Sequence, residues 1–126
     1  MSTLKVTNIQ ATGETASRAV SGVAAAWSSL DSSGGSTATQ HGSLNISSVL
    51  DNSAGQYGFN FSSNMSGATY STVGSSNDNA YNNIVTNWPI ISNHYTSERT
   101  MIGNLRTNTG SYVDSDVCIA VFGDLA

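Results

Sequence analysis

Charge is what this chain has least of. Its 126 residues include four basic side chains, Lys5, Arg18, Arg99 and Arg106, against eight acidic ones, for a net charge of −4. Nucleic-acid binding needs clustered Lys and Arg to neutralise phosphates, and these four are scattered, so no nucleic-acid partner is expected. Lys5 is the single lysine, which leaves no phosphate-binding loop ending in Gly-Lys. Cys118 is the single cysteine, so it closes no disulfide within the chain and excludes a multi-cysteine zinc site. Its apolar neighbours in "DVCIAVF" predict a buried, inert thiol. No apolar run approaches the roughly 20 residues that span a bilayer, so membrane insertion is not expected. The opening "MSTLKVTNIQ" lacks an apolar h-region, and no signal peptide is expected.

Reactive constellations are equally scarce. The twelve glycines form no Gly-x-Ser-x-Gly elbow and no Gly-x-Gly-x-x-Gly turn. No calcium loop of the Asp-x-Asp-x-Asp-Gly type occurs. His41 and His94 each lack a His or Cys partner at ligand spacing, so no metal and no cofactor is expected. Three Asn-x-Ser matches, at Asn45, Asn60 and Asn64, follow from the abundance of both residues.

What the chain has instead is small and neutral. Ser, Thr and Asn make up 48 of the 126 residues, with 22 Ser, 13 Thr and 13 Asn. Leu, Ile, Val and Phe total 25, about a fifth of the chain, at the edge of what a folded core needs. Disorder normally comes with high net charge, which is missing. A folded domain with a thin core is therefore expected, of the kind that oligomerisation helps.

From residue 44 onward the apolar residues alternate. "SLNISSVL" places Leu44 and Ile46, then Val49, at near-alternate positions, and "QYGFNFS" puts Tyr57, Phe59 and Phe61 on one face. Between them, "DNSAG" reads as a hairpin link with Gly55 at a positive-φ position and Asp51 and Asn52 capping it. "ATYSTVG", "YNNIVTNWPIIS", "RTMIGNLRT" and "DVCIAVFGD" supply further strands, Pro89 marking an edge or bulge. Strands about ten residues apart with polar turns predict a sandwich or barrel. Upstream, "SSGGSTATQHGS" (32–43) has loop composition. Val20, Val23, Trp27 and Leu30 recur at helical spacing, but Gly22 weakens a helix and a strand through Trp27 fits as well. Leu4, Val6 and Ile9 are the apolar positions of a short extended arm.

Two local clusters invite a functional reading. "SNHYTSERT" gathers His94, Tyr95, Glu98 and Arg99, which suits either a polar loop end or contact with a sugar or partner. Asp114 and Asp116, two apart, would share one face of a strand and can hold a cation in an oligomer, or simply be a solvated strand start. A glycosidase pair would need a second carboxylate across a cleft, which nothing here marks.

The segments "STLKVTNIQATGETASRAVSGVAAAW" and "NISSVLDNSAGQYGFNFSSNMSGATYSTVGS" resemble small tail-fibre or appendage proteins of bacteriophages, notably of phages of marine and aquatic bacteria. The shared features are an Asn-x-Ser-Ser strand, an Asp-Asn-x-x-Gly turn, a Tyr-x-x-Asn-Phe strand and an Ala-x-Tyr strand. "VCIAVFGDLA" resembles the closing strand, and residues 75–115 match least. The resemblance implies an all-β, antiparallel, jelly-roll-like β-sandwich over residues 23–126, with an extended or helical N-terminal arm over 1–22. It implies a homotrimeric virion protein on a tail or other external appendage, made in the host cytoplasm, with no enzymatic activity and no cofactor. Leu4, Val6 and Ile9 of the arm are then expected to serve assembly or docking to other virion or tail proteins. Host contact, with a cell-surface glycan or protein, is expected from about Asn77 to Arg106, through Tyr81, His94, Tyr95 and Arg99; Trp88 is a further candidate, but beside Pro89 and Ile90 it fits the core better than a contact. Two rivals remain open: an adaptor or decoration protein without receptor contact, and an appendage enzyme that cleaves surface glycans.

Overall fold

The computed structural model describes residues 8–9, 18–19, 23–32, 38–77, 83–87 and 96–126. They form ten strands and, among the described residues, no helix: β1 Asn8–Ile9, β2 Arg18–Ala19, β3 Ala26–Asp31, β4 Thr39–Leu44, β5 Ile46–Ser53, β6 Gln56–Phe61, β7 Ser71–Asn77, β8 Asn83–Asn87, β9 Arg99–Arg106 and β10 Asp116–Phe122. β1 pairs with β2; the other eight form two four-stranded sheets, ordered β4-β3-β10-β7 and β5-β6-β9-β8. Every pairing is antiparallel. The expected all-β antiparallel sandwich is therefore the fold.

Period-two patterning explains the packing. Tyr57, Phe59 and Phe61 on β6 turn inward, as do Val117, Ile119 and Val121 on β10, and all six are buried in one core with Leu30, Ile46 and Ile102. Each such side chain contributes roughly 1.5–3 kcal/mol by leaving water. Phe61 and Tyr70 meet edge to face, ring centroids 5.5 Å apart at 82°. At one side of the sandwich the edge strands β7 and β8 close together because Gly74 has no Cβ; one placed there would lie 2.6 Å from Val85 Cγ1. At the corner between β4 and β5, Asn45 takes φ 55°, tolerable for Asn because its side chain bonds Ser63 N (2.7 Å) and Ser63 O (3.0 Å).

Three expectations change. The stretch 32–43 is not all loop: its second half enters β4, an edge strand whose burial alternates but whose residues up to Ser43 are polar or glycine, so no hydrophobic alternation marks it. The helix-or-strand ambiguity around Trp27 resolves as strand β3. Cys118 is exposed, not buried. Its apolar neighbours Val117 and Ile119 hold the inward parity of β10, which leaves Cys118 facing out.

Candidate functional site

Arg99 opens β9, opposite Asn60 of β6. Its carbonyl oxygen is anchored: the Tyr70 hydroxyl lies 2.5 Å from Arg99 O and 2.9 Å from Thr96 O, and Thr96 N donates to Arg99 O at 3.0 Å. Thr96 Oγ1 in turn accepts from the backbone N of Glu98 and of Arg99, both at 3.2 Å. The 96–99 turn is thus fixed against the sheet independently of the Arg99 side chain. The guanidinium Nε is buried without a hydrogen-bond partner among the described residues. The backbone of the turn is held by its own hydrogen bonds, and the Arg99 side chain it carries is half-buried. Leu4, Val6, Tyr81, Trp88, His94 and Tyr95 lie outside the described residues; Ile9 is placed only as part of β1.

A polar clasp joins the two sheets. Asp114 Oδ1 accepts from Gly55 N (2.6 Å) and from the Tyr57 hydroxyl (3.0 Å). Tyr57 Oη also lies 2.5 Å from Ser32 Oγ, which donates to Ser115 O at 2.7 Å. Asn104 Nδ2 donates to Val113 O (2.8 Å) and Ser115 Oγ (2.6 Å), and Ser115 Oγ bonds Ser76 Oγ at 2.7 Å. Burial, opposed by Ser32 and reinforced by the negative charge of Asp114, pushes the Tyr57 phenol up to about 12. It stays a protonated donor at neutral pH, so the cluster works as a fastening and not as an acid–base pair. The expected Asp114–Asp116 pair is split: Asp114 turns to the clasp while Asp116 turns to Asp31.

Asp116, at the start of β10, hydrogen-bonds the Asp31 carboxyl, and His41 Nε2 stands 3.6 Å from Asp31 Oδ2. Burial first, then the hydrogen bond and charge of Asp31, raise the Asp116 carboxyl above its ordinary value, while His41 and a backbone bond from Ser32 oppose this. Among the described residues, no group of His, Cys, Asp and Glu is arranged to hold a metal ion. A carboxyl raised by folding adds stability below its unfolded value, and that stability is lost as pH rises through the folded value. Asp116→Asn is therefore expected to raise the melting temperature at pH 7 and change it little near pH 4, measured by calorimetry across that range.

The outward side of the β4-β3-β10-β7 sheet carries features that pattern reading missed. Cross-strand partners place Leu44, Trp27, Ala120 and Val73 in one row across all four strands. Trp27, Leu44 and Val73 remain 42%, 49% and 53% exposed. The next row is Gly42, Ser29, Cys118 and Ser75. Strand parity through Trp27 was the available signal, but it is usable only once the helical reading is discarded.

No family model, curated protein or solved structure matches this chain. The candidate residues accordingly rest on their geometry. Two surfaces stand out: the Arg99 turn on the β5-β6-β9-β8 sheet and the apolar row on the other sheet.

Proposed function

We propose that the chain is a structural protein of a bacteriophage appendage, a tail-fibre β-domain that self-associates as a homotrimer and displays a surface for host attachment. The observation that carries this reading is the exposed row Leu44–Trp27–Ala120–Val73, an apolar stripe on the outer face of a sheet whose inner face is already buried in the core. The sequence resemblance supplies the virion context. The Ser-, Thr- and Asn-rich surface supports display, since short neutral groups can bond sugar hydroxyls with little side-chain entropy to lose. The arm, with Leu4, Val6 and Ile9, serves docking to other virion proteins.

Attachment is tested with fluorescently labelled purified protein on host cells. Arg99→Ala is expected to weaken adsorption by about tenfold, the loss of one contact of moderate strength, in protein that keeps the far-UV circular dichroism of the parent. Full adsorption by the variant moves recognition away from the Arg99 turn. No adsorption by the parent protein favours an adaptor or decoration role.

A further inference from the structure

We propose that Asp31, Asp116 and His41 form a pH-sensitive latch that fastens the edge strand β4 to the middle of its sheet more tightly in mild acid than at neutral pH. The latch stands whether or not the protein is a virion component. Its parts come from three adjacent strands. β10 and β3 are antiparallel with Val117 opposite Leu30, so the next position along brings Asp116 opposite Asp31. Like charges opposite each other across a ladder destabilise it. His41 is the extra residue of a bulge: Gly42 pairs with Ser29 and Gln40 with Leu30, which leaves His41 without a register partner. A bulge re-aims a side chain, and here His41 Nε2 comes within 3.6 Å of Asp31 Oδ2.

Two protonation steps close the latch. Asp116 Oδ1 is buried, and no N–H or hydroxyl of the described residues donates to it. Two ionised carboxyls can only accept; one proton between Asp116 and Asp31 makes one of them a donor to the other. Burial, then the bond to Asp31 and its charge, hold a proton on Asp116 above the ordinary carboxylate range. Imidazole changes charge between about pH 5 and 8, and a charged His41 attracts Asp31 from the β4 side. That charge opposes proton uptake by Asp116, so the two steps come in sequence as pH falls. The charged groups facing Asp116 are Asp31 from β3 and His41 from β4. β7 presents the uncharged Asn77 in register, and Cys118 follows two residues on along β10. Asp78 lies outside the described residues. A carboxyl raised by folding stabilises below its unfolded value and loses that effect as pH rises through the folded value, so the tight state is the acid one. The Asp31 and His41 side chains are 43% and 61% exposed, so solvent screening keeps the effect small against global stability and confines it to this edge. β4 joins its sheet through β3 alone. Such an edge pairs with other chains when it frays, and the latch makes the fraying depend on pH.

Hydrogen exchange at pH 4.5 and pH 7.5, read by mass spectrometry and corrected for intrinsic rates, tests this. The readout is the protection of peptides covering β4 relative to peptides covering β6, a strand of the other sheet. In the parent protein this ratio is expected to be several-fold higher at pH 4.5. Asp31→Asn removes the group that both partners meet, and its ratio is expected to differ less than twofold between the two pH values. Asp116→Asn keeps a donor toward Asp31 at every pH and is expected to raise the ratio at pH 7.5 toward the acid value. Far-UV circular dichroism checks that both variants keep the parent fold. A parent ratio that is the same at both pH values overturns the latch. So does an Asp31→Asn protein that retains the parent's dependence, or an Asp116→Asn protein no better protected at pH 7.5 than the parent.

Discussion

Gly55→Ala is expected to cost on the order of 4 kcal/mol, enough to leave a thin-cored domain largely unfolded at 37 °C. Two causes add. Gly55 sits at φ 65°, where a Cβ crowds the backbone. The added Cβ would also lie 2.5 Å from Val113 N, 2.6 Å from Val113 O and 2.8 Å from Asn104 O, all backbone atoms that cannot rotate away. Relief would break the bonds from Gly55 N to Asp114 Oδ1 and from Asn104 N to Gly55 O. Urea unfolding of the variant beside the parent measures the loss. A cost below about 1 kcal/mol, the lower bound for strain of this kind, would mean that the β5–β6 link does not press against Val113.

Asp114→Ala is the second large effect, about 3 kcal/mol, because it removes the acceptor for a buried backbone N–H and a buried phenol at once. Tyr57→Phe leaves Gly55 N bonded and is expected to cost about half as much. In the double variant the two losses should fall short of adding, since both break the Tyr57–Asp114 bond. Strict additivity would show that the clasp is not one unit.

The strands most legible in the sequence are those with one buried and one exposed face. Tyr57, Phe59 and Phe61 announce β6, and Gly55 announces the turn before it, because a two-residue period and a positive-φ glycine are local signals. β4 was illegible for the opposite reason: its residues from Thr39 to Ser43 are polar or glycine, so its alternating burial leaves no hydrophobic trace in the sequence. Cys118 was misjudged from the composition around it, whereas its place between inward-facing Val117 and Ile119 decides its exposure. The clasp could not be read at all, since Tyr57 and Asp114 meet only after two sheets are paired. The same holds for the apolar row, whose members come from four strands and share no local motif. Of the recognition residues, only Arg99 falls among the described ones, and its anchoring by Tyr70 depends on a contact 29 residues away.

The assignment to a phage appendage is tested most directly by immunogold electron microscopy of purified particles whose genome encodes the chain, using antibody raised against the purified protein. Label on a tail fibre or other external appendage is the expected result. Unlabelled particles, with the protein present only in the soluble fraction of the infected-cell lysate, would contradict it.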